Sequence, residues 1–304
     1  MSRADPYLPR LATLIADRLR LVRVQLESVE VKCAWPVYKA ESDGCVPMFV
    51  KVTKRAAAER TLAFLAAAEG CPFLPRPIIG DALDLDGFAV LCLEWKESTR
   101  VDAENMTEGQ LGSFAEGCRM LSDVLSRYTG PVAPIAAEDS PEGEYEILHH
   151  YAERHPLAGR LLNSILSIPE TERSYGNRPL VTIHGDLQPK NYGFDGDRLA
   201  AVYDTDDLTK GLACEDACYA FTERARRSEL SASERRRLTD LFLRLVAHLP
   251  WPKDEWLIAV NHSRLRIAAR RLEKHPDSIF VAFDIVRRDK PLRALAEALK
   301  GTPC

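Results

Sequence analysis

Long apolar runs are missing from this chain of 304 residues. None approaches the roughly 18–20 residues that a membrane-crossing helix needs. The N-terminal MSRADPYLPRLATLIADRLR breaks its apolar positions with Asp17, Arg18 and Arg20, so neither a span nor a signal peptide is read there. Cysteine-pairing signals are missing as well. Cysteines stand at 33, 45, 71, 92, 118, 214, 218 and 304, with no CxxC and no histidines at zinc spacing. The expectation is reduced thiols in a cytoplasmic protein. Cys214 and Cys218 can share a helix face, where small buried hydrophobes explain them as well as a metal or redox pair does. There is no internal repeat and no low-complexity segment.

What is present describes a globular chain: 46% apolar residues, with a length that allows one large domain or two lobes. The net charge of −4 hides an asymmetry. From Phe221 onward there are 18 Lys/Arg against 11 Asp/Glu, which leaves 23 against 34 before it. Residues 1–95 read as a short helix followed by strands in VKCAWPVYKAES, VPMFVKV and FAVLCLEW, where β-branched and aromatic residues alternate between turn formers. Between the last two strands lies KRAAAERTLAFLAAAEG, an alanine-rich helix ended by Gly70. After Trp95 the pattern turns helical. Thr107 and Gln110 fit a capping box, and Leu111, Phe114, Cys118, Leu121 and Leu125 recur at spacings of three and four. Further helices are expected near 145–166, 215–228, 232–248 and 254–274. The fold class is therefore α+β, with a small sheet carrying one main helix over 1–95 and a larger, mostly helical part over 96–304.

The chemistry concentrates in HGDLQPKN, residues 184–191, at the end of the strand LVTIH. A second strand pair follows, YGF and RLAAVYD around Asp195-Gly196, and folding back at that turn brings Asn191 and Asp204 to the open end of one hairpin. Asp186 enters from the preceding loop, and Asp206 and Asp207 add charge. Crowded carboxylates of this kind call for a cation, and an all-oxygen set suits Mg²⁺ completed by substrate phosphates. In phosphoryl transfer the attacking hydroxyl must lose its proton to a base, for which Asp186 is the candidate. Lys51, inside the apolar strand MFVKV, needs a partner for its ammonium. Glu59 could supply it from the alanine-rich helix, with Glu69 as a competitor.

These residues resemble the aminoglycoside phosphotransferase and choline kinase branch of the protein-kinase-like fold, over about residues 25–250. HGDLQPKN is similar to that branch's HGDxxxxN loop, and VYDTDD to its metal-binding segment. The resemblance implies a bilobal fold and a kinase using ATP and Mg²⁺. It makes Asp186 the base, Asn191 and Asp204 the metal ligands, and Lys51 the phosphate contact with Glu59 as its helix partner. His184 and Asp216 become supports of the loop. LCLEWKE resembles the hinge between lobes, where backbone groups of Glu94 and Trp95 would meet an adenine. One stretch departs from the pattern: EVKCAWPVYKA, residues 30–40, should cover the phosphates but has no glycine and carries Trp35-Pro36 at its tip.

The expected partner is a small-molecule hydroxyl acceptor. The arginine-rich C-terminal helices oppose a polycationic aminoglycoside and favour a neutral or anionic acceptor such as a sugar or sugar phosphate. A choline-like acceptor would need an aromatic cage that Trp251 and Trp256 alone do not make. One alternative is a lipopolysaccharide core sugar kinase, the only reading that entails peripheral membrane contact. Another is a catalytically inactive kinase-like binding protein. No nucleic-acid partner is expected, because the arginines mix with acids and lack interleaved aromatics.

Overall fold

The computed structural model describes residues 7–29, 35–227 and 229–301. Five strands form an antiparallel sheet: β1 (Gln25–Ser28), β2 (Val37–Glu41), β3 (Met48–Thr53), β4 (Leu83–Leu85) and β5 (Phe88–Glu94), in the order β1-β2-β3-β5-β4. Alternation along β3 sorts its side chains between two faces. Met48, Val50 and Val52 join the apolar layer under α1 (Leu8–Leu19), which presents Leu11 and Ile15 one turn apart. Each such burial is worth roughly 1.5–3 kcal/mol, enough to hold a twelve-residue helix to the sheet. Phe49, Lys51 and Thr53 therefore share the opposite face, beside α2 (Arg55–Ala67). Lys51 lies opposite Val37 on one side and Leu91 on the other. Strands β1 and β4 were not anticipated. One is an exposed edge strand and the other has three residues, too few for a periodic signal.

The remaining chain is mostly helical. Helix α3 (Glu108–Arg127) starts at the Thr107 and Gln110 capping box and buries the expected stripe. Helices α4 (Pro141–Arg154), α5 (Pro156–Leu166) and the short α6 (Glu170–Arg173) follow. The single helix expected near 145–166 is thus two. Pro156 bars the helical conformation at His155, whose ψ is 84°. Strand β6 (Val181–Ile183) pairs with β9 (Thr209–Gly211), and β7 (Tyr192–Asp195) forms a hairpin with β8 (Arg198–Val202). Then come α7 (Glu215–Ala225), α8 (Ala232–His248), α9 (Lys253–Lys274) and α10 (Ile279–Gly301). Helix α10 escaped the sequence reading because Pro291 lies inside it. One apolar core runs from Phe64 and Leu91 in the N-terminal part through Phe114 and Tyr192 to Phe242 and Trp256, so the two lobes share it. Among the described residues no helix is long and apolar enough to cross a membrane.

Most C-terminal arginines brace this lobe. Arg224 pairs with Glu104, Arg226 and Arg227 with Glu223, Arg244 with Glu108, and Arg264 with Asp289. Arg271, Arg287 and Arg288 converge on Asp284. Of these, only Arg224 and Arg244 take acids from before Phe221; the others share carboxylates of the same third, so these pairs leave most of the charge excess in place.

Candidate active site

The loop 184–191 is held from beneath by one carboxylate. Asp216, in the first turn of α7, accepts the N–H groups of His184 at 2.7 Å and Gly185 at 2.9 Å, one on each oxygen. Burial pushes this carboxyl up, against the pull of His184 and the two amides. Gly185 has φ +82°, and a Cβ there would lie 2.4 Å from the Asp207 carbonyl oxygen, so both backbone shape and space demand glycine. The fully buried His184 ring ties the loop to the next strand. Its Nε2–H donates to the Tyr203 carbonyl at 2.9 Å, and Nδ1 accepts the Asp186 N–H at 3.3 Å.

The Asp186 carboxylate is oriented by its own loop. Gln188 Nε2 donates to Oδ1 at 2.6 Å, Asn191 Nδ2 donates to Oδ2 at 2.9 Å, and Lys190 Nζ stands 3.4 Å from Oδ2. The sequence reading assigned no role to Gln188 or Lys190, although both lie within the motif. Asn191 also donates to the Asp186 carbonyl at 2.7 Å, and its Oδ1 has no hydrogen-bond partner among the described residues.

The hairpin forms as expected. Its turn places Gly196 at φ +58°, Tyr192 lies opposite Val202, and the Tyr203 N–H donates to the Asn191 carbonyl at 2.8 Å. Asn191 and Asp204 therefore come within one residue of register and line one cleft together with Lys51, of about 700 Å³. Asp204 has φ 67°, a left-handed conformation that aspartate tolerates better than most residues. Burial alone would raise its carboxyl. The adjoining Lys51 ammonium outweighs that and holds it below the usual carboxylate range.

The Lys51–Glu59 pair does not form. Lys51 Nζ bonds Asp204 and, at 2.7 Å, Asp206, while Glu59 on the outer side of α2 and Glu69 just past its end are exposed. The physical reason is the orientation of α2, which presents Thr61 to the site. Thr61 Oγ1 donates to Asp206 Oδ1 at 3.1 Å, Thr53 Oγ1 to Oδ2 at 3.1 Å, and Arg60 to the Asp206 carbonyl at 3.0 Å. Asp206 thus supplies from the other lobe the negative charge expected of Glu59. Its only sequence signal was its place in VYDTDD.

At the hinge, the N–H groups of Glu94 and Trp95 are both donated within the chain. Glu94 donates to the Arg76 carbonyl at 2.7 Å and Trp95 to the Pro47 carbonyl at 2.9 Å, because the chain keeps strand-like neighbours past the end of β5. The next N–H, of Lys96, donates to the Tyr203 hydroxyl at 2.5 Å, and that hydroxyl lies 3.2 Å from the Lys96 carbonyl oxygen. The Tyr203 ring stacks on Phe49 with centroids 4.8 Å apart and planes at 22°. The Trp95 ring lines the cleft. Trp35 packs on Phe88, and residues 30–34 of the glycine-free stretch lie outside the described residues.

Among the described residues no group of three or more His, Cys, Asp or Glu could hold a metal ion. What the cleft offers instead is Asn191 Oδ1 and the second Asp204 oxygen. Two protein oxygens fit a magnesium ion that takes the rest of its shell from phosphates and water. Beside the loop 184–191 lies a much smaller recess, with room for little more than a water, lined by Gly185, Glu215, Asp216, Tyr219, His262 and Arg266 among others. Its His262 lies between Glu144 at 3.2 Å and Glu215 at 3.3 Å. Burial disfavours its charge, but the two carboxylates lift it to about 10. Arg266 lies over the Tyr219 ring at 5.4 Å. Its guanidinium has no hydrogen-bond or ion-pair partner among the described residues.

Residues 36–253 match the sequence model of the phosphotransferase enzyme family. The chain belongs to that family. Among solved structures, this phosphotransferase is similar to the macrolide 2′-phosphotransferase of Brachybacterium faecium, with 14% identity and a TM-score of 0.58 over 99% of this chain and 100% of that one. An amicoumacin kinase in complex with AMP-PNP, Ca²⁺ and Ami gives 12%, 0.60, 89% and 88%. The Plasmodium vivax ethanolamine kinase gives 10%, 0.54, 89% and 81%. At such identities the likeness establishes the fold, which is the bilobal, protein-kinase-like one. No curated protein matches the sequence.

Proposed function

We propose that this family member transfers the γ-phosphate of ATP to a hydroxyl of a small neutral or anionic acceptor, such as a sugar or sugar phosphate. The observation that carries the reading is the convergence of Asp204, Asn191 and Lys51 on one cleft, with Asp186 fixed by Gln188 and Asn191 in the adjoining loop. Membership in a phosphotransferase family supports it, and the likeness to an amicoumacin kinase solved with AMP-PNP supports the donor.

Asp186 accepts the proton of the acceptor hydroxyl as its oxygen bonds the γ-phosphorus. The bond from that phosphorus to the β–γ bridging oxygen breaks, ADP leaves with the electron pair, and Asp186 later releases its proton to water. Asn191 and Asp204 would hold Mg²⁺, which when bound neutralises charge on the phosphate chain. Lys51 serves the same chain by turning from Asp204 while keeping Asp206. His184 and Asp216 hold the loop's shape, so their effects reach chemistry through Asp186. The acceptor approaches the loop beside Gly185, where Arg266 offers a guanidinium to an anionic group from a wall it shares with the carboxylates of Glu215 and Asp216.

A second reading, a kinase-shaped binding protein without turnover, is favoured by the hinge groups and Lys51 being engaged within the chain. Incubation with Mg-ATP and a metabolite extract, followed by mass spectrometry, separates the two. A new phosphorylated metabolite with matching ADP release is expected. Nucleotide binding without any such product supports the second reading.

A further inference from the structure

The backbone donors on the wall of the cleft that would read a base are taken up by the chain itself. A base is recognised through donors and acceptors that meet its edge, and only unused groups can do so. The N–H groups of Glu94, Trp95 and Lys96 are all donated internally, and the Lys96 carbonyl faces the Tyr203 hydroxyl. One phenol thus takes both the donor and the acceptor of Lys96. Insertion of a base between the Phe49 and Tyr203 rings is closed too. A flat base between two rings needs about 7 Å, twice the contact distance of roughly 3.5 Å, whereas Phe49 and Tyr203 are 4.8 Å apart.

The same cleft remains well supplied with positive charge. Lys51, Lys96, Arg100 and Lys190 line it, against the single lining carboxylate of Asp204. We infer that this enzyme selects its donor by the triphosphate chain and not by the base, so that purine and pyrimidine nucleoside triphosphates serve alike, with Tyr203 as the residue that enforces this indifference. The inference rests on the phosphotransferase reading and adds the donor class to it. A base entering the hinge must displace two hydrogen bonds and a ring stack, each worth roughly two- to tenfold in affinity, and regains about as much as it displaces.

Calorimetric titration of the whole protein with the magnesium complexes of ATP, GTP, CTP and UTP tests it. Dissociation constants within about threefold of one another are expected for the wild type. Tyr203→Phe keeps the ring but frees Lys96, and should open the ratio between the tightest and weakest base to roughly tenfold or more. Tyr203→Leu, which removes ring and hydroxyl together, should open it as well. A wild type that already prefers one base by tenfold or more overturns the inference while leaving the phosphotransferase reading intact. So does a spread unchanged in both variants. Failure of all four nucleotides to bind the wild type and both variants overturns the phosphotransferase reading, and the inference falls with it.

Discussion

The catalytic loop and the hinge border the same cleft, yet they satisfy their backbones in ways that have opposite chemical consequences. In the loop, the N–H groups of His184, Gly185 and Asp186 are held by Asp216 and by the His184 ring. The side chains of Asp186 and Asn191 thereby keep oxygens available for reaction. In the hinge, the backbone itself would do the reading, and tying it to Arg76, Pro47 and Tyr203 silences it. Buried backbone groups must be paired somewhere. Whether that pairing creates a site or closes one depends on whether the chemistry belongs to side chains or to the main chain.

The comparison can be broken at several points. Asp204→Ala should have the largest effect, abolishing magnesium-dependent nucleotide binding, as read by titration with and without the ion; unaltered binding would remove Asp204 from the metal site. Asp206→Asn tests the charge that replaced Glu59. It should lower stability by about 2–3 kcal/mol in urea unfolding, since three side chains donate to that buried carboxylate. Glu59→Gln, on an exposed position, should change it by less than about 0.5 kcal/mol. Arg266→Gln should weaken inhibition by a sugar phosphate roughly tenfold and leave inhibition by the parent sugar unchanged.

A pH test concerns the floor behind the loop. The folded-state value of His262 is raised to about 10, above its unfolded value near 6.5. Its contribution is therefore fully present below pH 6.5 and is lost as pH rises toward 10. Urea midpoints should fall across that window in the wild type and fall less in His262→Gln.

The catalytic loop was legible in sequence because its geometry is local: eight consecutive residues and one Asp195-Gly196 turn determine it. The partner of Lys51 was not, because proximity along the chain favoured Glu59, eight positions away. The bonded carboxylates lie 153 and 155 positions away, and only the packing of the two lobes brings them there. Tyr203 was hidden for a similar reason. It stands next to Asp204 in the sequence, but its hydroxyl acts 107 positions back, at Lys96. The capping box of α3 was readable, being a four-residue motif, whereas α10 was masked by a proline that the helix accommodates.

In the proposed mechanism Asp186 removes a proton from a hydroxyl beside a nucleotide held by Lys51, Asn191 and Asp204. Asp186→Asn, assayed for acceptor-dependent ADP release alongside nucleotide titration, tests it most directly. Turnover should fall by at least about a hundredfold with nucleotide affinity nearly unchanged. A variant as active as the parent protein would contradict it.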